Sequence, residues 1–307
     1  MIKRTFNIVV TVLLLCCMLL VAGCDSSKSS DKDKQTEKTT EKVSEAATEA
    51  ETETTSDVST MSFVDVFGVS HDMTIDVNAP KCPYNPENFV RDGEFVRYED
   101  DNYTSLLGID ISEYQGSDIN WEALKNQGLS FVILRAGYRG YGEAGTLNSD
   151  NCFEANYANA MAYGFDVGVY YFSQATNEAE AVEEANYVLG ILGGRPLNLP
   201  IVFDLEHILN GEDARTDGIS GEQFTRNAIA FCEQVNAAGY DAMVYSNMMW
   251  EAFEYDMTTL SAYPIWYADY EALPQSPYDF EFWQYSQTGR VDGINGNVDL
   301  DLRIVAK

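Results

Sequence analysis

From Leu106 onward the chain alternates short apolar runs with helical stretches, and this alternation constrains the fold more than any other feature. A continuous apolar run reads as a strand covered on both faces, and parallel strands need a crossover between them, usually a helix. The runs are Leu106 to Ile111, Phe131 to Ala136, Asp166 to Phe172, Pro200 to Leu205, Asp241 to Ser246, Pro264 to Tyr267 and Phe280 to Tyr285. Helical stretches lie only between the first five, so the class is α/β with a parallel sheet closed or covered by helices. Roughly 200 residues of this pattern fit a β/α barrel, whose sites sit at the carboxyl ends of the strands. The later runs follow one another too closely for full helices, and the barrel is expected to be irregular at its end.

Three segments precede this region. Residues 1–23 carry Lys3 and Arg4, an apolar run from Ile8 to Val21, and Val21-Ala22-Gly23 before Cys24. That grammar is a signal peptide ending in a lipobox, with Cys24 as the lipidated residue. An uncleaved membrane anchor is the alternative, although the apolar run is slightly shorter than the ~17–25 residues that span a bilayer. Both readings put the remainder outside the cytoplasm, held to the cell membrane. Residues 24–60 are a disordered tether: from Asp25 to Thr60 there is no aromatic, Gly or Pro, too little apolar surface to offset ordering entropy. Residues 61–104 form a lead-in of uncertain structure. The alternation Phe63-Val64-Asp65-Val66-Phe67 and the prolines Pro80, Pro83 and Pro86 suggest a few strands or an extended segment packed on the main domain. No chemistry is assigned to it. The main domain is 105–307.

Composition then narrows the chemistry. A net charge of −30 over 307 residues excludes a protein that must neutralise phosphates, so no nucleic-acid partner is expected. Only two histidines, His71 and His207, are present, which removes most imidazole mechanisms and typical zinc sites. Of six cysteines, Cys16 and Cys17 lie in the leader and Cys24 ends it, leaving Cys82, Cys152 and Cys232 without C-x-x-C spacing. No metal and no cofactor are implied, and at most one disulfide can form within the chain, its pairing left open. Carboxylates remain to do the work.

The strongest local motif is Leu199-Pro200-Ile201-Val202-Phe203-Asp204-Leu205-Glu206, an apolar strand ending in two acids spaced by one residue. Positions i and i+2 of a strand share a face, so Asp204 and Glu206 project together into the barrel mouth. Two close carboxylates cannot both ionise freely, and one is pushed toward the protonated form that a general acid needs. Acids that merely cap a strand end would look the same in isolation. Two further acids make the case: Asp110, ending Gly108-Ile109-Asp110, and Asp299 in Asn297-Val298-Asp299 would face the same mouth. Gly140-Tyr141-Gly142-Glu143-Ala144-Gly145 fits G-x-G-x-x-G, but it is not seated between a strand and a helix as a dinucleotide loop must be, and it reads as a loop lining the groove. His207 points to the strand face opposite Glu206 and reads as a packing or surface residue. Tyr138, Tyr171, Trp266, Tyr270 and Trp283 are the candidate sugar-stacking residues, since such rings pair with the C–H faces of sugars.

From Leu107 to the C-terminus the chain resembles the glycoside hydrolase family 25 lysozymes. The resemblance rests on Gly108-Ile109-Asp110-Ile111-Ser112 with Gln115-Gly116, Phe131-Val132-Ile133-Leu134-Arg135-Ala136-Gly137, Gly168-Val169-Tyr170-Tyr171-Phe172-Ser173, Asp204-Leu205-Glu206, Ile265-Trp266-Tyr267-Ala268, Phe282-Trp283-Gln284-Tyr285 and Val298-Asp299. It implies a flattened barrel of five β/α units plus three further strands, with Glu206 as catalytic acid and Asp110, Asp204 and Asp299 around it. Glu113-Tyr114 departs from the family pattern and touches groove shape rather than the acid set. The implied activity is a muramidase that hydrolyses the β-1,4 bond between N-acetylmuramic acid and N-acetylglucosamine with net retention. Peptidoglycan glycan strands are then the partner, the lipid holds the chain to the membrane, and a monomer suffices. Two rivals remain: a chitinase-like endo-glucosaminidase, and a catalytically silent lipoprotein that only binds cell wall.

Overall fold

The structure, a computed structural model, describes residues 59–208 and 213–307. The leader, Cys24 and nearly all of the tether lie outside the described residues. The folded part begins with β1 (Thr60–Val64) and β2 (Ser70–Thr74), an antiparallel hairpin, followed by a second one, β3 (Phe89–Asp92) and β4 (Phe95–Tyr98). These hairpins fill the lead-in. Phe63, Met73, Val96 and Tyr98 bury themselves in the same apolar core as the main domain, so the lead-in is packed on it.

The barrel strands are β5 (Tyr103–Ile111), β6 (Leu129–Arg139), β8 (Asp166–Ser173), β9 (Ile201–Leu205), β10 (Ala242–Asn247), β11 (Ile265–Ala268), β12 (Phe282–Gly289) and β13 (Val298–Ala306), with the short β7 (Leu147–Ser149) added on β6. Pairing runs parallel from β5 through β6, β8, β9, β10 and β11 to β12. It turns antiparallel at β12–β13 and β13–β5, and this last pairing closes the ring. Helices α1 (Trp121–Asn126), α2 (Phe153–Ala162), α3 (Glu178–Leu192), α4 (Gly221–Ala237) and the pair α5 (Met248–Phe253) and α6 (Met257–Leu260) follow the first five barrel strands. Five β/α units and three further strands result, the irregular α/β barrel expected.

Local sequence explains the longer helices. Asn177 caps α3 by accepting from Glu180 N, Glu178 and Glu180 complement the positive end of its dipole, and Gly193 ends it at φ 57°. Ser220 caps α4 through Gln223 N, and Phe224, Ala228, Phe231, Cys232 and Val235 form its apolar stripe against the sheet. Strand alternation divides the apolar residues between two cores. Phe131, Ile133, Val202, Met243, Trp266 and Phe282 fill the barrel interior, while Val132, Phe203, Val244 and Trp283 pack outward under the helices and the lead-in.

β13 lies beyond the seven apolar runs and is the third of the further strands that the family resemblance implies. Its pattern Val298-Asp299-Leu300-Asp301-Leu302-Arg303-Ile304 alternates strictly and is the signal that locates it. Cys82, Cys152 and Cys232 are all free thiols, so no disulfide forms among them.

Candidate active site

Alternation on β9 sends Val202 and Asp204 into the barrel and Phe203 and Leu205 out to the helices. Glu206 follows the strand on the inward side, half-buried at the mouth. Across the barrel, Asp110 at the end of β5 is paired with Asp299 at the start of antiparallel β13. The antiparallel turn is what brings an acid from the beginning of a strand to the end of its neighbour. All four acids line one cleft of 810 Å³.

The sequence pattern names four acids, and the structure adds a fifth beside them. Asp301 lies two residues beyond Asp299 on the same face, fully buried, and accepts a hydrogen bond from Trp266 Nε1 at 2.8 Å. It pairs in register with Gly108, whose lack of a side chain is required: a Cβ there would sit 2.3 Å from the Phe131 ring. Asp110 accepts from Gln284 Nε2 at 2.7 Å, and Gln284 Oε1 in turn accepts from the Tyr270 hydroxyl at 2.8 Å. Asp301 Oδ2 is buried without a hydrogen-bond partner among the described residues, and the charge of Asp301 bears on Asp110.

The electrostatics all run one way. Burial pushes Glu206 above the usual carboxylate range, opposed by a hydrogen bond from the Tyr245 hydroxyl. Burial, then the charge of Glu206, raises Asp204 well above that range, against the pull of Arg135. Asp299 is raised to about 6 by burial and the Glu206 charge, and Asp301 to about 8 chiefly by burial. Burial and the charges of Asp299 and Asp301 raise Asp110 as well. Asp204 and Glu206 therefore titrate as a pair that retains a proton further toward neutrality than a free carboxylate does. Arg135 is the cation whose charge bears on Asp204; it is fixed by Asp150 (Nε to Oδ2, 2.8 Å) and Glu113 (Nη2 to Oε1, 2.9 Å).

Of the candidate stacking residues, Tyr138, Trp266 and Tyr270 line the cleft. Tyr171 and Trp283 do not. Both are fully buried in the outer core, and the Trp283 indole donates to the Asp269 carbonyl at 2.8 Å. Their inward neighbours Tyr170 and Gln284 occupy the cleft instead, with Tyr245 from β10. The loop at Gly140, Tyr141 and Gly142 lines the cleft, and His207 lies outside this cleft, stacked on Trp250 at 4.7 Å, where both residues line a smaller cavity beside it.

An open, aromatic-walled cleft with a cluster of proton-retaining carboxylates suits glycosidic bond cleavage. The sequence matches the description "Glycosyl hydrolases family 25" over residues 109–294. The chain belongs to this family. As a family 25 glycoside hydrolase it is similar to Lysozyme M1 of Streptomyces globisporus, 34% identical over 206 residues, covering 64% of this chain and 67% of the relative. It is also similar to the autolytic lysozyme of Clostridium acetobutylicum, 27% identical over 197 residues, covering 64% of this chain but only 55% of that longer protein. Among solved structures, the family 25 hydrolase superposes on a bacterial lysozyme from Streptomyces coelicolor with a TM-score of 0.53 and 31% identity, covering 64% of this chain and 90% of the other. The protein is accordingly a glycoside hydrolase of the lysozyme type. Family-matched residues include Asp110, Asp204 and Glu206; the lead-in hairpins and Asp299 lie beyond them.

Proposed function

We propose that the protein is a peptidoglycan muramidase that cuts the β-1,4 bond between N-acetylmuramic acid and N-acetylglucosamine, with Glu206 as general acid. The observation that carries this reading is the convergence of Asp110, Asp204, Glu206 and Asp299 on one cleft, together with burial that makes the Asp204–Glu206 pair retain a proton further toward neutral pH. The lysozyme relatives supply the substrate class.

Asp204 Oδ1 is buried without a hydrogen-bond partner among the described residues, which suits it to accept from the N–H of a 2-acetamido group. Held this way, the acetamido carbonyl oxygen attacks the anomeric carbon of the muramic residue while its bond to the leaving oxygen breaks and Glu206 gives that oxygen its proton. Water then adds to the same carbon, releases the acetamido oxygen and returns a proton to Glu206, so configuration is retained. The Asp110–Asp299 side of the cleft faces the positive charge that develops on the sugar ring.

Digestion of purified peptidoglycan followed by borohydride reduction tests the bond choice. Muramitol is the expected new end, and glucosaminitol would promote the endo-glucosaminidase alternative. Walls de-N-acetylated on the muramic residue are expected to be cut much more slowly; equal rates would make a carboxylate, Asp204 or Asp299, the nucleophile or the base for water. We further propose that the enzyme acts outside the cytoplasm, tethered by a lipid on Cys24, a reading that rests on the leader sequence.

A further inference from the structure

Beside the acid cleft lies a second cavity of 360 Å³, whose lining includes Val66, Phe67, Met248 and Trp250. The two adjoin: Glu206, Tyr270 and Gln287 line both. Asp110, Asp204 and Asp299 line only the larger one; of the acids on the smaller one, Asp65 is bound to its own turn and His71, Asp269 to Tyr267 and Gln275, and Glu271 is exposed. This asymmetry orients a bound glycan. A general acid stands between the anomeric carbon and the leaving sugar, and the anionic groups that stabilise the ring charge stand on the anomeric side. The acid cleft therefore holds the muramic residue, and the smaller cavity lies on the leaving-group side.

One wall of that smaller cavity comes from the turn of hairpin β1–β2, outside the family-matched residues. The turn exposes Phe67 to 66% and Val66 to 54%, whereas Phe63 of the same hairpin is 2% exposed. Its conformation is held firmly. Asp65 Oδ1 accepts from Phe67 N and Val69 N, both at 2.9 Å, and Oδ2 meets His71 Nε2 at 2.8 Å. Gly68 takes the positive φ of 76° that the turn requires. Gln275 clamps the end of β1 where the turn begins, accepting from Val64 N and donating to Val64 O at 2.9 Å each, and itself bonds Asp269 beside Tyr270. A well-fixed turn thus holds two large apolar side chains in water at the edge of the groove.

Resting on the muramidase reading, we propose that hairpin β1–β2 builds the leaving-group half of the glycan groove, with Phe67 as the apolar platform for the N-acetylglucosamine released there. The lead-in is then part of the enzyme's substrate recognition and not a spacer.

The test compares wild type, Phe67→Ala and Phe67→Tyr on two substrates. One is a peptidoglycan glycan chain. The other is the β-fluoride of the N-acetylglucosaminyl–N-acetylmuramic acid disaccharide, whose leaving group is a single atom and leaves the smaller cavity empty. Phe67→Ala is expected to lower kcat/KM on the glycan about threefold to tenfold, the scale of one lost aromatic stacking contact. It should leave fluoride hydrolysis unchanged, and Phe67→Tyr should behave as wild type. Equal losses on both substrates, or none on the glycan, would overturn the proposal. Calorimetric binding of an N-acetylglucosamine-ended glycan to Glu206→Gln, with and without Phe67→Ala, separates the two readings. Weaker binding without Phe67, in a protein whose wild type yields no muramitol, would keep the subsite and remove the muramidase assignment. Equal binding would remove the subsite.

Discussion

Asp299→Asn is expected to make the protein more stable and less active, and the gain should depend on pH. Asp299 is half-buried beside Glu206, and burial with that charge raises its carboxyl from 3.8 to about 6. At ~1.36 kcal/mol per pH unit the gap corresponds to about 3 kcal/mol, or about 2–3 kcal/mol once solvent at the cleft mouth is allowed for. A carboxyl raised in the folded state adds its full stability below pH ~4 and loses it as pH rises through about 6. Wild type therefore carries the cost of a buried charge above neutrality, and asparagine removes it. The same change relieves Asp110 and Asp301, both of which are raised by the Asp299 charge. For a domain of this size, Tm should rise by about 5–10 °C at pH 8 and by little at pH 4. Thermal unfolding followed by calorimetry at pH 4, 6 and 8, with wall turbidity measured alongside, makes the comparison. An equal gain at pH 4 and pH 8, or a loss at pH 8, would refute the reasoning, since either means that Asp299 carries no strained charge in the fold.

Glu206→Gln keeps the size of the side chain and can still accept from the Tyr245 hydroxyl, so it should fold normally while wall lysis falls by at least about a hundredfold; near-normal turbidity clearance would take Glu206 out of the mechanism. Gly108→Ala would press a Cβ to 2.3 Å from Phe131, a ring already packed edge-on against Phe282 at 5.4 Å. Overpacking of this kind costs about 1–3 kcal/mol, visible as a lower urea midpoint, and an unchanged midpoint would mean that the barrel floor yields freely. Cys24→Ala should abolish incorporation of labelled fatty acid and leave the protein unanchored, and retained label would place the lipid elsewhere.

The barrel was legible because its period is simple: apolar runs of strand length, separated by helix-length stretches, admit few other folds. The acid pair was legible for a related reason, since i and i+2 on a strand share a face whatever the surroundings. Which face of each strand points inward is harder. Tyr170 and Tyr171 are adjacent and chemically identical, and only pairing decides between them: Phe172 lies opposite Asp204, so Tyr170 shares its inward side and Tyr171 faces Phe203 and the helices. The same parity, carried along β12, sends Trp283 outward and Gln284 into the cleft. Asp301 is legible only once Val298–Ala306 is taken as a strand, because its alternation then puts Asp301 on the face of Asp299. The lead-in gave no chemical signal at all. Its role depends on where the β1–β2 turn lands beside Glu206, and that placement is set by Gln275 and Asp269, some two hundred positions away along the chain.

Closure by β13 also bears on when the acid cleft comes into being. Asp110 and Asp299 meet only because β13 slots between β12 and β5, joining residues from opposite ends of the barrel sequence. A nascent chain that has not yet released β13 holds Asp110, Asp204 and Glu206 on an open sheet with two unpaired edges and no enclosed groove. Such a species cannot exclude water from the acids or bring the fourth carboxylate to them. The same holds for a chain nicked in the turn between β12 and β13 that loses its final strand. Assembly of the four-acid cleft thus waits on the pairing of β13 with β12 and β5.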